Sequence, residues 1–123
     1  MAEVEAAPQW HMLEALRNKV IFLRGVNSSG EWVGTVSVSP ADFDIDTAGD
    51  EPVLELSVPK TLTVGEGDTI MAIILVIDNT DTSYDAADNK IRYPIVDVDG
   101  NGEYFPDGGS IDTTQFEVYL NDL

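Results

Sequence analysis

The sequence predicts a mainly β protein: an antiparallel β-sandwich, immunoglobulin-like or jelly-roll, with one short N-terminal helix. Three observations carry that expectation. Apolar and polar residues alternate over several short stretches, as in strands with one face in a core and the other in water. Turns rich in Gly, Pro, Asn and Asp separate those stretches. Helical spacing of apolar residues is confined to the start of the chain. One domain is expected over residues 1–123, with 1–18 as its N-terminal arm or helix.

Residues 8–18 read as the helix. Pro8 suits a first turn, where its missing N–H breaks no bond, and Trp10, Leu13 and Leu16 recur at helical spacing beside Met12. That stripe either caps one end of the β core or docks on a neighbouring subunit, with Trp10, Leu13 and Leu16 as the contacts. Lys19–Val26 and Glu31–Ser39 read as a hairpin about the turn Asn27-Ser28-Ser29-Gly30. In its second strand Trp32, Val36 and Val38 are expected on one face, with Ser37 and Ser39 on the other. Residues 40–52 read as an acidic loop. Val53–Val58 alternates cleanly, and Leu62-Thr63-Val64 continues it beyond Pro59.

After the turn Gly65–Asp68, the stretch Thr69–Asp78 is apolar on both faces, which places it in the centre of a sheet. A polar loop follows over 79–90. Ile91–Val98 carries Pro94 and therefore reads as an edge or bulged strand. Thr114–Leu120 puts Phe116, Val118 and Leu120 on one face.

Charge narrows the setting. The chain holds 23 acids against six Lys and Arg, for a net charge of −17. Three acids and three cations balance over the first 24 residues, so the whole excess lies in the β-rich remainder. Such a body repels phosphate backbones and anionic membrane surfaces, which argues against nucleic-acid binding and membrane insertion. The longest apolar run, Ile70–Ile77, falls far short of the roughly 20 residues that span a bilayer. With no cysteine, disulfides and thiolate metal sites are excluded. Glu3 and Glu5 stand where a signal peptide carries Lys or Arg, so export by the usual route is not expected. Scarce lysine and abundant Asp resemble the surfaces of haloarchaeal proteins and their viruses; divalent-cation binding is the other explanation for the acidity.

The stretch from Glu51, EPVLELSVPKTLTVGEGDTIMAIILVIDNTDTSYDA, resembles prokaryotic immunoglobulin-like surface modules over about a third of the chain. The shared features are a first strand ending near Val58-Pro59, the turn Val64–Thr69, a long apolar second strand and the Asn79-Thr80 turn. The resemblance implies an adhesion or assembly module. In size and style the chain is also similar to small β-sandwich decoration proteins on the heads of tailed viruses, which need no signal peptide.

The sharpest local feature is Asp97-Val98-Asp99-Gly100-Asn101-Gly102-Glu103. Asp97, Asp99 and Asn101 alternate as do the first oxygens of an EF-hand-type calcium loop, with a glycine for the sharp turn. The bidentate Glu expected at the loop's end is replaced by Gly108, so Asp107 and Glu103 are the remaining carboxylates for a cation. A plain acidic turn is the alternative. Asp42, Asp44 and Asp46 form a second carboxylate series, and Asp78, Asp81, Asp85 and Asp88 a third; both read as solvated faces. Tyr104 and Phe105 follow the loop as an aromatic tip and join the candidate partner contacts.

Catalysis finds little purchase. His11 is the only histidine, with no nucleophile in a recognisable setting, and the glycine-rich turns lack the helix and lysine of a phosphate loop. The expectation is therefore a non-enzymatic structural protein located in a virion, a capsid decoration, cement or other accessory subunit of a tailed virus, plausibly of a halophilic host. It would form a homo-oligomer on a major capsid or other virion protein, with calcium as the one candidate cofactor. The alternative is a calcium-dependent immunoglobulin-like or carbohydrate-binding module of a cell-surface or tail-fibre system.

Overall fold

Helix α1 runs from Ala6 to Arg17, beginning two residues before the expected start, so that Pro8 still lies in its first turn. The computed structural model describes residues 4–27, 29–58, 60–63, 70–85, 87–94, 110–112 and 116–120. Leu13 is fully buried and Leu16 packs against the core, turning the apolar stripe inward. Buried Gln9 donates from Nε2 to the Val4 carbonyl at 2.7 Å and ties down the residues before the helix.

Among the described residues nine strands follow: β1 (Val20–Val26), β2 (Trp32–Ser37), β3 (Phe43–Asp46), β4 (Val53–Leu56), β5 (Thr61–Thr63), β6 (Ala72–Ile77), β7 (Lys90–Pro94), β8 (Ser110–Asp112) and β9 (Glu117–Val118). They form a four-stranded sheet in the order β2-β1-β6-β7, a three-stranded sheet β3-β4-β9 and a two-stranded pair β5-β8. All pairings are antiparallel. The two larger sheets pack together with α1 beside them, consistent with a β-sandwich.

The alternation seen in the sequence sets the inner faces. Leu23, Val33, Ile73 and Leu75 from the larger sheet meet Phe43, Leu54, Leu56 and Val118 from the smaller, with Leu13, Leu62 and Phe116 joining. Tyr93 and Phe116 bridge the layers with ring centroids 5.4 Å apart. Burying each such side chain stabilises the fold by about 1.5–3 kcal/mol. Strand β6 is central, as its two apolar faces require, and β7 is an edge strand of its sheet with Pro94 at its end, where no further ladder bond is needed.

Three expectations fail. The segment read as an acidic loop contains a short 3-10 turn, Pro40–Asp42, and then strand β3, because Phe43 and Ile45 point to the core while Asp44 and Asp46 point away. Leu62-Thr63 does not extend β4; β5 leaves that sheet and pairs with β8. Trp32 does not share a face with Val36. The β1–β2 register shifts between Arg24 and Gly25, and Gly34 adopts a left-handed φ of +82°. This is a bulge: one extra residue flips the alternation, so Val33 and Val36 face inward while Trp32 pairs with Val26 on the outside.

Glycine is required on both sides of that bulge. A Cβ at Gly25 would lie 2.5 Å from the Val33 carbonyl oxygen and 2.6 Å from Ile70 Cδ1, and one at Gly34 would collide with the Thr63 carbonyl oxygen. The two glycines let β5 approach the β1–β2 pair and seat Leu62 in the core.

Candidate functional site

Two outer sheet faces differ sharply in chemistry. On the four-stranded sheet, β1 turns Phe22, Arg24 and Val26 outward, β6 turns out Ala72, Ile74 and Val76, and their register places Trp32, Thr35 and Ser37 of β2 and Lys90 and Arg92 of β7 on the same face. Val26, Ala72, Ile74 and Val76 are buried as a second small core, with Phe22 and Met71 packed on it. The Arg24 guanidinium lies 4.5 Å from the Phe22 ring centroid and 5.0 Å from that of Trp32, while Lys90 Nζ stands 5.9 Å from Trp32. Cation–π attraction of this kind holds the charged side chains flat over apolar surface. Trp32 remains 44% exposed.

Among the described residues this face gathers three of the chain's six cations and no acid at a strand position. The other three cations each have a carboxylate: Arg17 with Glu14 at 4.0 Å, Lys19 with Asp81 at 2.8 Å and Lys60 with Asp42 at 3.3 Å. Among the described residues none of Arg24, Lys90 and Arg92 forms an ion pair with a carboxylate. Lys90 donates to the Ala87 carbonyl instead, and the buried Arg24 Nε has no acceptor.

On the three-stranded sheet the outward positions are acidic. Asp44, Glu55 and Glu117 sit side by side across β3, β4 and β9, with Asp46 one step along β3. Partial burial, reinforced by repulsion from Asp46, Glu117 and Asp44, raises the pKa of Glu55 above the usual glutamate value. Trp10 and Arg17 of α1 wall a groove of about 460 Å3 with Asp44, Asp46 and Glu55. A second groove, about 340 Å3, lies between the start of α1 and the loop before β4, lined by Ala7, Trp10, His11, Asp50 and Pro52.

Three further carboxylates, Asp42, Asp78 and Asp85, serve local structure. Asp42 accepts from the Ser39 N–H at 2.8 Å in a capping box; burial pushes its pKa up, but that bond and the Lys60 ammonium outweigh it and the net shift is downward. Asp78 accepts from the N–H and hydroxyl of Thr80, and Asp85 from the Ala87 N–H, each closing a turn. Among the described residues no cluster of three or more His, Cys, Asp or Glu is placed to hold a metal ion.

Of the residues singled out in the sequence, Leu13 and Leu16 lie in or against the core, and Trp10 is half-buried between the two grooves. His11 is exposed and meets Trp10 edge to face. The candidate cation ligands Asp97, Asp99, Asn101, Glu103 and Asp107, and the aromatic pair Tyr104 and Phe105, lie outside the described residues. Sequence reasoning did not single out Arg24, Lys90 and Arg92 as a group, because they come from strands far apart in the chain. Their shared outward parity, in a chain so poor in cations, was the available signal. The chain matches no family model, no curated protein and no solved structure.

Proposed function

We propose that the chain is a non-enzymatic structural subunit of a virion: a capsid decoration, cement or other accessory protein of a tailed virus. It acts by burying surface against other protein rather than by turning over a substrate. The observation that supports this reading is the outer face of the four-stranded sheet, where Trp32 and Phe22 share a surface with three cations that have no carboxylate partner among the described residues, on a body otherwise dense in acids. Aromatic and arginine side chains on a sheet face suit a protein–protein contact, where both are enriched and supply much of the binding energy. The acidic remainder suits the solvent side of a particle in ion-rich water.

The test is mass spectrometry of particles purified from a culture that carries the gene. The chain is expected at a fixed copy ratio to the major shell protein. Particles that lack it overturn the virion reading.

A further inference from the structure

We infer that copies of this chain dock head to tail, the cationic aromatic face of one against the carboxylate face of the next. This shares the cationic face with the virion reading but concerns contacts between copies, which can form whether or not the chain belongs to a particle. The faces belong to different sheets of the sandwich and point away from each other across the core. Arg24 and Arg92 both pair with Ile74 from opposite sides, so they lie two strand spacings apart, roughly 9–10 Å. Asp44 and Glu117 flank Glu55 in the same way, at the same spacing of roughly 9–10 Å. Along the strands, Lys90 lies two residues from Arg92, and Asp46 two residues from Asp44.

Charge complementarity selects the occupant. The cationic face needs an anionic protein surface, and the acidic sheet of a second copy, flanked by Trp10 and Arg17 of α1, supplies four carboxylates with matching cross-strand spacing. Docking would give the Arg24, Lys90 and Arg92 side chains the carboxylate partners that they lack among the described residues. Half-exposed Trp32 would form the apolar anchor at the centre. Nucleic acid is the poorer fit, because the whole body carries −17. Because the two patches differ and face opposite ways, the contact cannot close as a two-fold dimer. It must continue as a ring or a filament.

Analytical ultracentrifugation of the full chain at 0.15 M NaCl, where the screening length is about 8 Å, provides the test. That salt screens repulsion between whole molecules but much less the ion pairs in contact. The mass average is expected to rise past the dimer with concentration. K90E/R92E alters two exposed side chains and leaves the Arg24 stack in place; it should weaken association at least tenfold while melting like the parent. D44K/E117K should do the same from the other side. An equimolar mixture of the two variants, in which reversed faces meet, should associate again. A parent that stays monomeric, stops at a dimer, or associates unchanged in both variants overturns the inference. So does a monomeric parent that is retained on immobilised polyglutamate, which would assign the face to a different anionic partner. Failure here leaves the particle test untouched, and the converse holds too.

Discussion

The outer faces of the two larger sheets are made by the same device, a strand whose alternate residues point away from the core, yet they carry opposite chemistry. The three-stranded sheet shows a row of carboxylates with Trp10 and Arg17 of α1 walling one side. The four-stranded sheet instead buries Val26, Ala72, Ile74 and Val76 beneath a layer of Phe22, Trp32 and Arg24. The difference teaches where stability and specificity reside. The acidic face is electrostatically strained, as the raised pKa of Glu55 shows, and is held by the core beneath it. The cationic face is a small core in its own right, and Arg24 and Lys90 lie over aromatic rings rather than in ion pairs among the described residues.

The largest test of that contrast is the bulge that creates it. Gly34→Ala places a Cβ at φ +82° against the Thr63 carbonyl oxygen. A loss of about 2–4 kcal/mol in urea unfolding is expected, from left-handed strain together with overpacking. A loss below about 0.5 kcal/mol, the size of an ordinary surface change, would mean that the bulge is not fixed by the close approach of β5.

Ile74→Ala probes whether the outer face of β6 is a genuine core. Its side chain is 5% exposed, so truncation should cost about 2–4 kcal/mol, as in a conventional interior. A cost under about 0.5 kcal/mol, typical of surface positions, would return this face to ordinary surface.

The smallest effect belongs to the acidic face. Because the folded-state pKa of Glu55 is raised, the folded protein binds that proton more tightly than the unfolded chain does. The ionised residue therefore destabilises the fold at neutral pH, and the penalty is relieved as pH falls through the raised pKa toward the unfolded value. Glu55→Gln should gain a few tenths to about 1 kcal/mol at pH 7, after solvent screening, and progressively less toward pH 4. Asp42 has the opposite sign: its lowered pKa contributes stability above the unfolded value that is lost as pH falls through the folded one. Thermal melts of the parent and Glu55→Gln between pH 4 and pH 7 separate the two, and equal melting of both at pH 7 would remove the strain attributed to the acidic row.

Much of the architecture was legible from alternation. Strands β1, β4 and β6 lie where the period-two pattern puts them, and the central place of β6 follows from its two apolar faces. Strand β3 was hidden because four residues with two aspartates resemble a solvated loop until a partner, β4, is supplied. The β5–β8 pair joins segments that only the folded chain brings together.

By itself the sequence determined the fold class, the acidity of the body and the alternation that fills the sandwich, because these depend on local pattern and composition. The tertiary structure alone decided which face Trp32 occupies and that Arg24, Lys90 and Arg92 stand together with no carboxylate partner among the described residues. The reason is physical. One left-handed glycine, required by the approach of a distant strand, reverses every side chain before it, and the grouping of charges follows from strand order, which residue spacing does not encode.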